Sequence, residues 1–359
     1  MSDPKIATDS HALKTSAPPD KKTEVRFGRN VEASVAELLN VGATREPMSH
    51  TDSKSGARFE RVVMDGRRYV LKHYDLRDDW TMRAVGDIGC GTLRLWTTGL
   101  LDELPACFRQ PIVGVASDPA LWPPGNATSV LMEDVGEFLV PPGDDPIELA
   151  QHLGFIDHMA ALHAHFWEGG SVIDIIPPEN RLLELSPWLS MAESQLGSEQ
   201  LVPRLVGEGW TLLAEVAPAL AAIVVPLAWD PGPLVRALSL TPSTLVHGNW
   251  KLGNLGTDAE GRTVIIDWEN PGRGAGCGEL AWYLAINAAR LPCSREATID
   301  AYRQGLERRG VITDGWWDRQ LALGLLCGIV WFGWEKAFGG WGDELAWWAD
   351  RAVAGAAYL

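Results

Sequence analysis

The chain has 359 residues, 46% hydrophobic and 22% charged, which is enough apolar material to bury two modest lobes. Its formal net charge of −16 argues against a nucleic-acid binder, whose affinity comes from basic faces laid on phosphates. The five cysteines are scattered without C-x-x-C spacing, which predicts free thiols in a reducing cytoplasm and no zinc site.

Residues 1–25 mix Ser, Thr, Pro, Lys and Asp without apolar periodicity. They predict a flexible tail, with no apolar segment of signal-peptide type. Residues 57–64 and 67–74 alternate like strands on either side of Asp65-Gly66, a pair that favours a two-residue hairpin turn. The second of these strands carries Lys72 near its end, and Ser53-Lys54-Ser55-Gly56 precedes the first. Helical spacing follows at 79–87 and 92–96. Beyond residue 137 the pattern is mostly helical, at 147–166 (stopped by Gly169-Gly170), 211–220, 281–291, 296–309, 316–336 and 344–357. Pro177-Pro178 and Pro231-Gly232-Pro233 read as breaks between helices. The longest apolar run, 321–334, holds three glycines and is shorter than the ~20 residues a bilayer span needs. It predicts a buried helix and no membrane association.

The segment that carries chemistry is His247-Gly248-Asn249-Trp250-Lys251-Leu252-Gly253-Asn254. It is followed by an apolar strand, Val264-Ile265-Ile266, that ends in Asp267-Trp268-Glu269. An amide oxygen at a loop end and a carboxylate at a strand end are hard donors of the kind magnesium takes, with phosphate and water completing its shell. Either residue alone would serve equally well as a turn cap; the pair at this separation is the informative feature. Phosphoryl transfer asks for such charge neutralisation and positioning more than for covalent help. His247, ahead of the loop, suits a backbone hydrogen bond that holds loop shape better than it suits proton transfer.

These residues resemble the aminoglycoside phosphotransferase and choline kinase-like superfamily of small-molecule kinases. The other carriers are Val130 to Gly136, similar to the family's hinge strand, Leu162-His163-Ala164-His165-Phe166-Trp167, and Gly278-Glu279-Leu280-Ala281-Trp282-Tyr283. The resemblance covers roughly residues 45–290, with the motifs in the family's order. It implies an α+β, protein-kinase-like bilobal fold: a small antiparallel-sheet lobe over 26–136 and a larger, mainly helical lobe over 137–359. It also implies ATP and Mg2+ as cofactors. Lys72 would lie on the α- and β-phosphates, Ser55 and Gly56 in a phosphate-covering loop, and Glu133 and Val135 at the hinge beside the nucleotide. Asn254 and Asp267 would be metal ligands, with His247 and Asn249 in the catalytic loop. The implied acceptor is a hydroxyl of a small polar molecule: a sugar, an aminoglycoside or an amino alcohol. The acidic charge would suit a cationic acceptor, although solubility accounts for that charge as well.

Two positions depart from the family pattern. Asn249 stands where an aspartate accepts the hydroxyl proton, and an amide has no useful basicity near neutral pH. General-base help contributes on the order of 10²–10⁴ in rate. Three readings stay open: an impaired kinase or pseudokinase that binds nucleotide or metabolite without turnover, a carboxylate such as Glu269 doing the proton work, or an Asp→Asn exchange that traps a substrate complex. The second departure is that no glutamate occurs between Lys72 and Glu103 to pair with the lysine from a helix, which leaves Asp87 as a shorter candidate. Among the seventeen tryptophans, Trp316, Trp317, Trp331, Trp334, Trp341, Trp347 and Trp348 lie near Asp314, Glu335, Asp343 and Glu344 in sequence. Helical spacing makes most of them core, with one or two left to line an acceptor pocket.

Overall fold

The computed structural model describes residues 29–48, 55–121, 123–169 and 175–359. The predicted tail at 1–25, and Ser53 and Lys54 ahead of the first long strand, lie outside them. The first part of the chain is built on a sheet of β1 (Thr44–Met48), β2 (Arg58–Met64), β3 (Arg67–Tyr74), β5 (Ile112–Ser117) and β6 (Thr128–Glu133), with β4 (Phe108–Arg109) outside it. The spatial order is β1-β2-β3-β6-β5, antiparallel throughout. Asp65 (φ 52°) and Gly66 (φ 74°) both adopt the left-handed region, as a type I′ hairpin turn requires, so the predicted hairpin forms there.

Central strand β3 is the one that matters for chemistry. Alternation along a strand sends successive side chains to opposite faces. Leu71 packs with Val62 and Leu131 beneath the short helix α1 (Val35–Leu38). Lys72, paired in register with Phe59 and Val130, faces the other way, toward the helical part of the molecule. Helices α2 (Trp80–Ala84) and α3 (Gly91–Thr98) follow the sheet's central strand, and Asp79 caps α2 by accepting from the Thr81 and Met82 amides.

The helical part comprises α4 (Leu149–His165), α5 (Pro178–Leu182), α6 (Pro187–Gln195), α7 (Leu201–Val216), α8 (Pro218–Trp229), α9 (Gly232–Leu238), α10 (Gly276–Ile286), α11 (Arg295–Arg308), α12 (Trp317–Ala337) and α13 (Asp343–Ala356). The expectation of one helix at 211–220 is corrected. α7 begins at Leu201 and stops at Val216, because Pro218 lacks the amide a continuing helix needs and opens α8 instead. Short strands sit among the helices: β7 (Thr244–Val246) pairs with β10 (Gly272–Gly274), and β8 (Leu255–Thr257) pairs with β9 (Thr263–Ile265). β4 pairs with β9 in parallel, so this segment of the chain is stitched onto the strand that ends two residues before Asp267.

Helix α12 is the core of this half. It contains the predicted apolar run, and α7, α8, α10 and α13 pack around it. No single helix among the described residues is long and apolar enough to cross a membrane. The expected fate of the tryptophans also holds for most: Trp317, Trp331, Trp334 and Trp348 are buried, whereas Trp341 is exposed. Close approach of α10 and α12 depends on Gly324, where a Cβ would fall 2.7 Å from the Cys277 backbone. Gly324→Val is therefore expected to lower the unfolding free energy by about 1–3 kcal/mol, seen as an earlier urea midpoint. An unchanged midpoint would mean that the two helices do not meet there.

Candidate active site

The loop 247–254 leaves β7 and enters β8, and its shape is set from outside. Gly248 has φ +80°, and a Cβ there would sit 1.9 Å from the Asn270 carbonyl oxygen, so only glycine fits. Glu279, buried in the first turn of α10, accepts from the His247 amide through Oε2 (3.1 Å) and from the Gly248 amide through Oε1 (2.6 Å). The same Oε2 meets His163 Nε2 at 2.9 Å, and His163 Nδ1 meets the Tyr302 hydroxyl at 2.7 Å. Burial pushes the Glu279 carboxyl up, but the His163 contact and the Gly248 amide outweigh it and hold the group below the usual carboxylate value. Arg181 closes the loop from the other side by donating to the Gly248 carbonyl and to Glu184.

His247 is part of this frame. Its Nδ1 accepts from the Asn249 amide at 3.2 Å and its Nε2 lies 3.0 Å from the Ile266 carbonyl, which together fit only the neutral ring protonated at Nε2. The ring sits edge-on to Trp268 and Trp250, both fully buried. Burial lowers its pKa to about 4.

Asn254 and Asp267 come together through short links. The Asn254 carbonyl accepts from the Ile266 amide at 3.1 Å, one residue from Asp267. Its side-chain Nδ2 donates to the Asn249 carbonyl at 3.0 Å, which leaves the amide oxygen as the atom available to a ligand. The Asn249 Nδ2 in turn donates to Asp267 Oδ2 at 3.1 Å. Asp267 itself is held at φ 68°, a left-handed conformation uncommon outside glycine but tolerated by aspartate. The turn is buttressed from α3, where the Thr92 hydroxyl donates to the Trp268 carbonyl at 2.7 Å.

Lys72 reaches across from the sheet. Its Nζ donates to Asp267 Oδ1 at 2.7 Å and to Glu269 Oε1, and lies 4.6 Å from the Tyr74 ring. The lysine side chain is 4% exposed, against 19% for Asp267 and 11% for Glu269. Burial alone would discharge this ammonium, but the two carboxylates reverse that and raise its pKa. For Asp267, desolvation is outweighed by the charges of Lys72 and Lys251, and its carboxyl is held well below the ordinary range. Glu269 goes the other way: desolvation and the neighbouring Asp267 charge push it up to about 8.

The other expected residues are not part of this hydrogen-bonded cluster. Asp87 does not pair with Lys72; its carboxylate accepts from the Gly91 amide at 2.6 Å at the start of α3, and burial lifts its pKa to about 6. The third acidic group whose charge acts on Lys72 is Asp79, fully buried, with Oδ2 lacking a hydrogen-bond partner. Ser55 and Gly56 are packed on the turn before α2, where the Ser55 carbonyl accepts from the Trp80 amide at 3.0 Å and a Cβ on Gly56 would strike the Asp78 carbonyl. Glu133 ends β6 with its carboxylate on Arg109 at 2.9 Å; Val135 is buried just beyond. The chain then runs directly onto the β8–β9 pair, with the Val140 amide donating to the Leu255 carbonyl at 2.8 Å. Arg181, Glu184, Thr92 and Asp79 were not identified from the sequence, and Glu279 only as part of a longer motif. The glutamate's position one turn into an apolar helix was its sole signal.

Among the described residues no group of three or more His, Cys, Asp or Glu side chains forms a metal cage. The donor set here differs in kind: one amide oxygen and one carboxylate, linked through Asn249, with a second carboxylate on Lys72. Those are hard oxygen donors with few protein ligands, which suits magnesium and not zinc.

No protein-family model matches the chain, and no curated protein matches its sequence. Solved structures do align with it. Choline kinase LicA from Streptococcus pneumoniae is 14% identical with a TM-score of 0.46, over 90% of this chain and 96% of that one. A microcompartment-associated aminopropanol kinase is 15% identical with a TM-score of 0.46, over 89% and 92%. An aminoglycoside phosphotransferase from Alicyclobacillus acidocaldarius is 13% identical with a TM-score of 0.42, over 90% and 93%. These neighbours are of the superfamily that the motifs resemble.

The neutral His247 gives a pH signature. In the unfolded chain it titrates near 6.5 and in the fold near 4, so its contribution is complete above 6.5 and is lost as pH falls toward 4. His247→Gln keeps a donor for the Ile266 carbonyl and removes the titration. Its stability should decline less steeply than the wild type's between those pH values in denaturant titrations; equal slopes would contradict the assignment.

Proposed function

We propose that the chain is an ATP- and Mg2+-dependent phosphotransferase that acts on a hydroxyl of a small molecule, with a weakened proton-accepting position at Asn249. The observation that supports this reading is one hydrogen-bonded cluster: Lys72 from the sheet, Asp267 from a strand end, and Asn249 and Asn254 from one loop. A lysine and two oxygen donors that converge from opposite sides of a cleft match the needs of a bound triphosphate.

In this reading Lys72 holds phosphate oxygens, and Asn254 and Asp267 hold the metal. Magnesium bound there would neutralise phosphate charge. Ser55 and Gly56 contribute to the wall over the phosphates, and Glu133 and Val135 border the nucleotide. Asn249 orients the acceptor: its Nδ2 is committed to Asp267, which turns its oxygen into a hydrogen-bond acceptor for the substrate hydroxyl. In the reaction the bond from the γ-phosphorus to its bridging oxygen breaks, a bond to the acceptor oxygen forms, and ADP leaves. The hydroxyl proton goes to solvent, because the amide cannot take it. His247 stays neutral and holds the loop. Glu269 is engaged by Lys72.

Asn249 itself favours a second reading, a pseudokinase that binds nucleotide or metabolite without turnover. One substitution separates the two. Asn249→Asp is expected to raise ADP formation with hydroxyl acceptors by about 10²–10⁴, with Mg-ATP affinity changed far less. No gain, with Mg-ATP still bound, would defeat the phosphotransferase reading in favour of the pseudokinase.

A further inference from the structure

Behind the loop lies a partly enclosed cavity of about 70 Å3, one wall of which is Gly248, the residue before Asn249. Its surface is mainly apolar, with Ile176, Leu182, Leu238, Val246, Trp282 and Trp331 among the residues that line it, and the Arg181 guanidinium lies 3.9 Å from the Trp282 ring centroid. The charged groups on its wall are Arg181, Arg273 and Glu279. Both oxygens of Glu279 are already taken by the His247 and Gly248 amides and by His163. A cationic group placed here would therefore meet two guanidinium side chains and no uncommitted carboxylate, at a full desolvation cost.

One further feature suits a ligand. Gly278 lines the same cavity from α10, and a Cβ there would meet nothing within 4 Å. A glycine in a helix costs stability relative to alanine; here it keeps space open beside the catalytic loop.

We propose that this cavity seats the body of the acceptor, and that the acceptor is an uncharged alcohol with a compact apolar group rather than a cationic sugar or amino alcohol. The proposal rests on the phosphotransferase reading for the fate of the hydroxyl, but not for the binding itself. Dispersion contact with the tryptophan and aliphatic side chains that line it supplies the affinity. The space accommodates a branched group of a few carbons.

Choline and 3,3-dimethyl-1-butanol make the test direct, since they share a shape and differ in one positive charge. Both are titrated into the full chain with Mg-ATP present, followed by tryptophan fluorescence and calorimetry, and nucleotide binding is measured in the same samples. The neutral alcohol is expected to bind at least about tenfold more tightly than choline, a difference of about 1.4 kcal/mol. Gly278→Ala is expected to weaken its binding several-fold while raising the thermal midpoint of the free protein. Equal or tighter binding of choline overturns the proposal, and so does binding of the neutral alcohol that Gly278→Ala leaves unchanged. The wild-type comparison stands even if the variant folds poorly. If nucleotide fails to bind while the alcohol does, the phosphotransferase reading falls and the cavity assignment survives. If nucleotide binds and the alcohol does not, the cavity assignment falls alone.

Discussion

A single ammonium group, Lys72 Nζ, is held between Asp267 and Glu269 with almost none of the side chain open to solvent, and the arrangement of both halves of the molecule follows from that contact. Taking a lysine out of water costs several kcal/mol, and only partners within hydrogen-bond reach offset it. One carboxylate would balance the charge. Asp267, held low, does so, while Glu269, pushed up to about 8, adds a second hydrogen-bond partner on the ammonium. The two sides of the cleft are therefore tied together electrostatically. Loss of one partner from such a buried set typically costs about 3–5 kcal/mol.

The same contact explains why the surrounding parts are built so firmly. Asp267 must point at Lys72 from a left-handed backbone, so its turn is fixed by the Thr92 hydroxyl and by His247 on the Ile266 carbonyl. The loop that brings Asn249 and Asn254 beside it is fixed by Glu279, whose two oxygens take two successive amides, and by Arg181 on the Gly248 carbonyl. Tyr302 and His163 continue that network into the core. Both oxygens of Glu279 and both ring nitrogens of His163 and His247 are hydrogen-bonded, which is the condition under which a buried polar network stabilises one geometry.

Much of this was legible in the residues. The β2–β3 hairpin was written in alternation around Asp65-Gly66, and the convergence of Asn254 with Asp267 in their spacing around an apolar strand. Local patterns carried these, because period and turn chemistry act over a few positions. What escaped was non-local. Arg181 lies 67 residues from Gly248, and Glu279 lies 116 from His163; no periodicity joins such pairs. The partner of Lys72 was sought on a helix soon after it, whereas the carboxylates come from 195 and 197 residues away. Asp87 looked suitable by distance along the chain, but its carboxylate was needed at the start of α3. The break at Pro218 was overlooked because apolar spacing continues on both sides of it.

The central claim is that Asp267, with Asn254, makes nucleotide binding depend on magnesium. Calorimetric titration of ATP with and without Mg2+, in the wild type and in Asp267→Asn, tests it most directly. The account predicts that magnesium tightens ATP binding by at least about tenfold, or 1.4 kcal/mol, in the wild type, and has little effect in the variant. An equal magnesium effect in both proteins would contradict it.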